Sequence, residues 1–155
     1  MPASSPPQIS SQNAERQGWM GLLARARPSR LAALIPADLP PHAFLRAPEV
    51  GAVMVQGRTG ATGAPFNLGE MTVTRCTLQI EGGAVGHAHV QGRDKAHATR
   101  AALVDALMQT GAAEALRVAV LDVLEREEAA LRAERAARAA ATRVEFFTLV
   151  RGEDQ

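Results

Sequence analysis

Apolar residues recur along the chain with two different periods, and the change from one to the other divides it into blocks. From Ser11 to Arg27 the positions Trp19, Leu22, Leu23 and Ala26 stand three and four apart, the spacing of a helix with one buried face. Ser10 or Ser11 is placed to cap it, and Pro28 stops it. Ser29 to Ile35 reads as a second short helix, with Ser29 as cap and Leu31, Leu34 and Ile35 turned inward. Pro36 to Pro41 holds three prolines in six residues, so it is read as a turn or extended linker.

Beyond the linker the period drops towards two. Gly51 to Arg58 alternates Val53 and Val55 with Met54, Gln56 and Arg58, which predicts a strand, and Phe44 to Arg46 predicts a shorter one before it. Arg58 to Gly69 is rich in glycine and contains Pro65, so it is expected to be a loop. Glu70 to Ile80 returns to strand character, rich in Thr and Val. Gly82-Gly83 predicts a two-residue hairpin turn, and Val85 to Gln91 the returning strand.

Gly92-Arg93-Asp94-Lys95 then opens a helix with Asp94 as cap and Ala101, Val104, Leu107 and Met108 on one face. After the interruption at Gly111, Ala112 to Ala141 is almost wholly helix-forming. Its apolar stripe is Leu116, Val120, Val123, Leu124 and Leu131, and Glu128 with Arg132 and Glu134 with Arg138 form favourable i,i+4 pairs. Past Leu131 the apolar side is alanine alone, which leaves that end weakly anchored. Thr142 to Arg151 alternates again, with Val144, Phe146, Thr148 and Val150 opposite Phe147 and Leu149, and predicts a closing strand. Strands that cluster between helical blocks imply an α+β fold, a mainly antiparallel sheet packed with helices from the N- and C-terminal parts.

Composition narrows the class. At 155 residues, 46% hydrophobic, the chain is long enough for one core, and residues 11 to 155 are read as a single domain behind a disordered tail of residues 1 to 10. No apolar run reaches the ~20 residues of a membrane helix, and the start has no signal-peptide pattern. The lone Cys76 excludes an internal disulfide and fits a reducing compartment, so the cytoplasm is expected. A net charge of +1 and a 3% aromatic content give little basis for binding nucleic acid.

Few residues suggest chemistry. His87 and His89 fall on one side of a strand, a spacing that metal sites use, but Cys76 and His97 do not complete a local set, and no metal is expected. The glycine loop lacks the Gly-Lys-Ser/Thr ending of a phosphate loop. Arg93 and Lys95, the latter the one lysine in the chain, flank a helix start, where free backbone amides favour anions. No nucleophile with an adjacent base is readable, so no catalytic residue is assigned.

Several strings, in this order, resemble the PhnG family, the G subunit of the bacterial carbon-phosphorus lyase system. They are Trp19-Met20, Gly69-Glu70-Met71-Thr72-Val73-Thr74-Arg75-Cys76, Val90-Gln91-Gly92-Arg93-Asp94-Lys95-Ala96-His97-Ala98, Ala102 to Gln109, and Arg143 to Gly152. The family commonly carries aromatic residues where this chain has His87 and His89. The resemblance implies an accessory subunit, without catalytic residues or a cofactor of its own, of a core complex with H, I and J subunits in two copies each. An ATP-binding-cassette L subunit joins them in the first step of phosphonate breakdown. There a phosphonate displaces adenine from ATP, giving ribose 1-methylphosphonate 5-triphosphate when the substrate is methylphosphonate, so ATP and phosphonate are substrates of the complex. Arg58, Arg75, Arg93 and Lys95 are then candidates for contacting partner acids or substrate phosphates. Phe146, Phe147, Leu149 and Arg151 are candidates for an interface. The competing reading is a stand-alone binding module for a phosphate-bearing ligand at the Gly92 helix start.

Overall fold

A computed structural model describes residues 11–35 and 40–142. The fold is α+β. Helices α1 (Ser11–Arg25) and α2 (Pro28–Leu34) precede strands β1 (His42–Arg58), β2 (Pro65–Ile80) and β3 (Val85–Gln91). Helices α3 (Lys95–Leu107), α4 (Ala113–Leu116) and α5 (Asp122–Ala141) follow. The strands form an antiparallel sheet in the order β1-β2-β3. The expected closing strand, the tail of residues 1 to 10 and most of the Pro36 to Pro41 linker lie outside the described residues.

Pro28 does more than end α1. It occupies the first turn of α2, where its missing N–H and fixed φ cost nothing, and the residue before it, Arg27, is extended and serves as the N-cap. Ser29 is therefore inside the helix and is not its cap.

β1 is longer than its alternation suggests, because the two expected pieces are one strand. The pairing of β1 with β2 slips between Phe44 and Arg46 and again between Arg46 and Glu49. Pro48, which has no N–H to give a ladder, sits in that irregular stretch of an edge strand. The expected glycine loop shrinks likewise: β2 begins at Pro65, a residue tolerated at a strand start, and only a single 3₁₀ turn, Thr59–Ala61, and three further residues separate β1 from β2.

The β2 to β3 turn is one residue longer than expected. Ile80 N donates to Ala84 O at 3.1 Å and Gly83 N to Ile80 O at 3.1 Å, so Glu81, Gly82 and Gly83 make the loop. Both glycines have positive φ, 94° and 89°, which is why glycine is needed there.

α3 packs on β2 and β3 and is buried on nearly every side. His97, Ala98, Ala101, Ala102, Leu103, Val104, Asp105 and Ala106 are all inside. Thr74, Cys76, Leu78, Ala88 and Val90 meet it from the sheet, and Leu22, Leu23, Leu31, Leu116, Val120, Leu121 and Leu124 close the core from the other helices. The closest approach is at Gly86, where a Cβ would stand 1.8 Å from the Ala102 carbonyl oxygen and 2.7 Å from the Ala106 nitrogen. Only a residue without a side chain lets the strand and helix backbones touch. The C-terminal run is interrupted by one wider π-type turn, Arg117–Leu121, which turns Leu121 into the core beside Val120.

Candidate functional site

Asp94 caps α3 as expected: its carboxylate accepts from His97 N at 2.8 Å. The helix start is tied to the sheet by Gly92 N donating to Thr72 O at 2.9 Å and Thr74 Oγ1 donating to Gly92 O at 2.8 Å. Arg93 and Lys95 are exposed there, and neither forms an ion pair among the described residues.

The four candidate cations do not converge. Arg58 lies at the end of β1 and donates through Nη1 to Gly63 O at 3.1 Å, closing the tip of the β1–β2 hairpin. It pairs with Pro65, ten residues along β2 from Arg75, which places it about 33 Å away along the strand. Arg75 lies on the open face of the sheet between Glu49 of β1 and His89 of β3. Its Nη2 is 3.9 Å from the Glu49 carboxylate, which also holds Arg46 at 3.2 Å, and its Nε is buried without a partner. The guanidinium reaches over Gly51, where a Cβ would come within 2.6 Å of Nη2. Arg93 and Lys95 stand nearer to Arg75, because Gly92 bonds Thr72, three residues before it.

His87 and His89 do share one side of β3, and His87 Nδ1 pairs with Thr77 Oγ1 at 3.1 Å. Cys76 pairs with Ala88 and faces the opposite side, in the core, where burial pushes its thiol pKa up. His97 is buried and donates from Nε2 to Leu23 O at 2.8 Å, which spends that nitrogen on the fold. Among the described residues no group of three His, Cys, Asp or Glu side chains could hold a metal ion.

Two features carry no signal in the apolar periodicity. The first is an ionic cluster around Asp105, fully buried in the middle of α3. It accepts from Arg16 Nε at 3.1 Å and Nη2 at 2.7 Å, from Trp19 Nε1 at 2.8 Å and from His87 N at 2.8 Å. A charge inside the apolar string Ala-Ala-Leu-Val-Asp-Ala-Leu-Met is the one sequence sign that a partner had to exist. The second is a band of exposed apolar residues. Val50, Met54, Phe66 and Leu68 lie beyond the reach of α3, which packs chiefly on β2 and β3, and Phe44 and Leu45 are exposed separately at the start of β1. Leu68 is 67% exposed and Met54 53%, a degree of exposure at neighbouring positions of the β1–β2 hairpin that marks a surface built for contact. The candidate interface residues Phe146, Phe147, Leu149 and Arg151 lie outside the described residues.

The family model for the phosphonate metabolism protein PhnG matches residues 14–152. The chain belongs to the PhnG family. A relative from Rhizobium meliloti (strain 1021), named alpha-D-ribose 1-methylphosphonate 5-triphosphate synthase subunit PhnG, is 48% identical over 147 residues, covering 91% of this chain and 92% of the relative. The match runs from α1 through α5, so the Asp105 cluster, the α3 start and the exposed band all lie within the family's own span. Among the described residues no helix is long and apolar enough to cross a membrane.

Proposed function

We propose that this chain is an accessory subunit of an alpha-D-ribose 1-methylphosphonate 5-triphosphate synthase, acting in phosphonate catabolism. The observation that carries the reading is the 48% identity, over nearly the full length of both chains, to a relative named as a subunit of that synthase. One physical feature supports it: Val50, Met54, Phe66 and Leu68 leave large apolar side chains in water on one side of the β1–β2 hairpin.

In this reading the subunit works in the cytoplasm with H, I and J subunits, two copies of each, and with the ATP-binding-cassette L subunit. ATP and a phosphonate are substrates of the assembly, and this chain holds no cofactor of its own. Arg75 on the open face of the sheet, and Arg93 and Lys95 at the start of α3, meet acids of a partner or phosphates of a substrate separately, whereas Arg58 serves the hairpin tip. The test is co-expression of a tagged chain with the H, I and J subunits, followed by size-exclusion chromatography with mass measurement. Stoichiometric recovery of one large complex is expected; recovery of this chain alone, folded and active in no assembly, overturns the reading.

A further inference from the structure

Between the N-terminal helices and α5 lies a cleft of about 540 Å³. Its floor is apolar: Leu22 and Leu124 are buried there, Leu131 is half-buried, and Ala26, Ala33 and Ala130 leave room beside them. Two ion pairs bridge its walls, Arg25 with Glu128 at 2.8 Å and Arg30 with Glu127 at 2.7 Å. The charges around them do not balance. Arg132 also holds Glu128, at 2.9 Å, and Glu127 is kept below its ordinary pKa by its hydrogen bond with Arg30 and, after it, by the charges of Arg27 and Arg126. Five guanidinium groups thus act on two carboxylates, a surplus of three positive charges beside an apolar floor. Neither Arg27 nor Arg126 forms an ion pair among the described residues.

Shape and charge together select an occupant. α5 runs on past the cleft as an exposed helix, with Ala133 and Ala137 following Ala130 at three- and four-residue spacing, so that side of α5 stays small-faced for two further turns. Another helix can pack there with its axis about 8 Å away, whereas a strand finds no sheet edge to pair with. The apolar floor asks for an apolar side chain, and the surplus of cations asks for carboxylates. A second copy of this chain offers the wrong charge, because its own α5 carries the same arginines and would set cation against cation.

We propose that the cleft between α1, α2 and α5 receives an acidic amphipathic helix of another subunit. One of its apolar side chains sits over Leu124 and Leu131, and its carboxylates face Arg27, Arg126 and Arg132. The proposal rests on the reading of this chain as a subunit of a larger assembly, and it adds which surface is used and what chemistry fills it.

The test uses the full chain, tagged and co-expressed with the H, I and J subunits. The photoreactive residue p-benzoylphenylalanine replaces Ser29 on α2 or Arg135 on α5, both exposed, the cells are irradiated, and cross-linked peptides are sequenced by mass spectrometry after purification on the tag. Both positions are expected to reach one segment of another subunit, with Asp or Glu beside Leu, Ile, Phe or Met at helical spacing. Arg27→Glu with Arg126→Glu is expected to lower both yields, counted per tagged chain, about tenfold or more while the chain stays folded by circular dichroism, because both side chains are exposed. A recovered complex in which neither position cross-links, or in which they reach only a second copy of this chain or a segment without acids, overturns the proposal and leaves the assembly reading intact. A yield unmoved by the double charge reversal does the same. If no complex is recovered from the unmodified chain, the assembly reading itself fails, and the proposal with it.

Discussion

Arg16, in the first helix, places its guanidinium flat against the Asp105 carboxylate, 89 residues later, with Nε and Nη2 each bonding one oxygen. The pair pins three elements at once, because Asp105 also takes the backbone N–H of His87 and the indole N–H of Trp19. The carboxylate is wholly buried while the arginine side chain keeps 29% of its exposure.

Removing the acid leaves two part-buried donors, of Trp19 and His87, without an acceptor and one arginine without its counter-charge. Asp105→Ala is therefore expected to cost about 3–5 kcal/mol, the range for breaking one side of a buried ion pair. Arg16→Met strips the charge from the other side and is expected to fall in the same range. Urea unfolding followed by circular dichroism measures both, and a loss under about 1 kcal/mol for Asp105→Ala would show the cluster to be dispensable.

Two glycine to alanine changes are expected to have opposite signs. At Gly86 the new methyl meets backbone atoms of Ala102 and Ala106, which no side-chain rotation relieves, so Gly86→Ala is expected to lose more than the ~1–3 kcal/mol of ordinary overpacking. At Gly18, exposed within α1 with open space around it, alanine is expected to add about 0.5–1 kcal/mol through helix propensity. Thermal melts of the two variants separate the cases directly.

The contact between the N-terminal helices and α5 is acid-sensitive. Glu127 is held below its ordinary pKa of 4.5 by its hydrogen bond with Arg30, and Glu128 by its hydrogen bond with Arg25. A carboxylate whose pKa is lowered by folding stabilises the fold above its ordinary pKa, and that contribution is lost as the pH falls through the lowered value. Melting temperature is therefore expected to fall below about pH 4.5, and Arg25→Gln with Arg30→Gln to flatten that slope. The effect is small because both pairs are exposed and screened. A slope unchanged in the double variant would assign the acid sensitivity elsewhere.

The exposed band separates folding from assembly. Leu68 is 67% and Met54 53% exposed, so Leu68→Glu and Met54→Glu are each expected to shift the unfolding free energy by no more than about 0.5 kcal/mol. Each is expected to reduce recovery of the multi-subunit complex in a tagged pull-down at least tenfold, since a charge must then be buried at the contact. Full recovery with both variants would remove the band from the interface.

Much of this protein was readable one window at a time. Asp94 capping α3, the glycines turning β2 into β3, His87 and His89 sharing a side of their strand, and the Glu128 to Arg132 and Glu134 to Arg138 pairs on α5 are all local. Each depends on residues within a few positions of one another, where helix and strand geometry fixes the neighbours in advance. Local patterns failed where a distant strand overrode them. Phe44 to Arg46 and Gly51 to Arg58 read as two strands and Arg58 to Gly69 as a loop, yet β1 is continuous and β2 begins at Pro65 because each strand zips against the other along its length.

The amino-acid order by itself determined the succession of elements, the α+β class and the family strings, since those follow from periodicity, caps and turn chemistry. Only the tertiary structure decided that Asp105 answers Arg16, that Arg25 reaches Glu128 across 103 residues, that Gly86 lies against α3, and that the four cations stand apart. Those relations join segments whose separation along the chain sets no distance between them. They exist only once burial of the common core has chosen which surfaces meet.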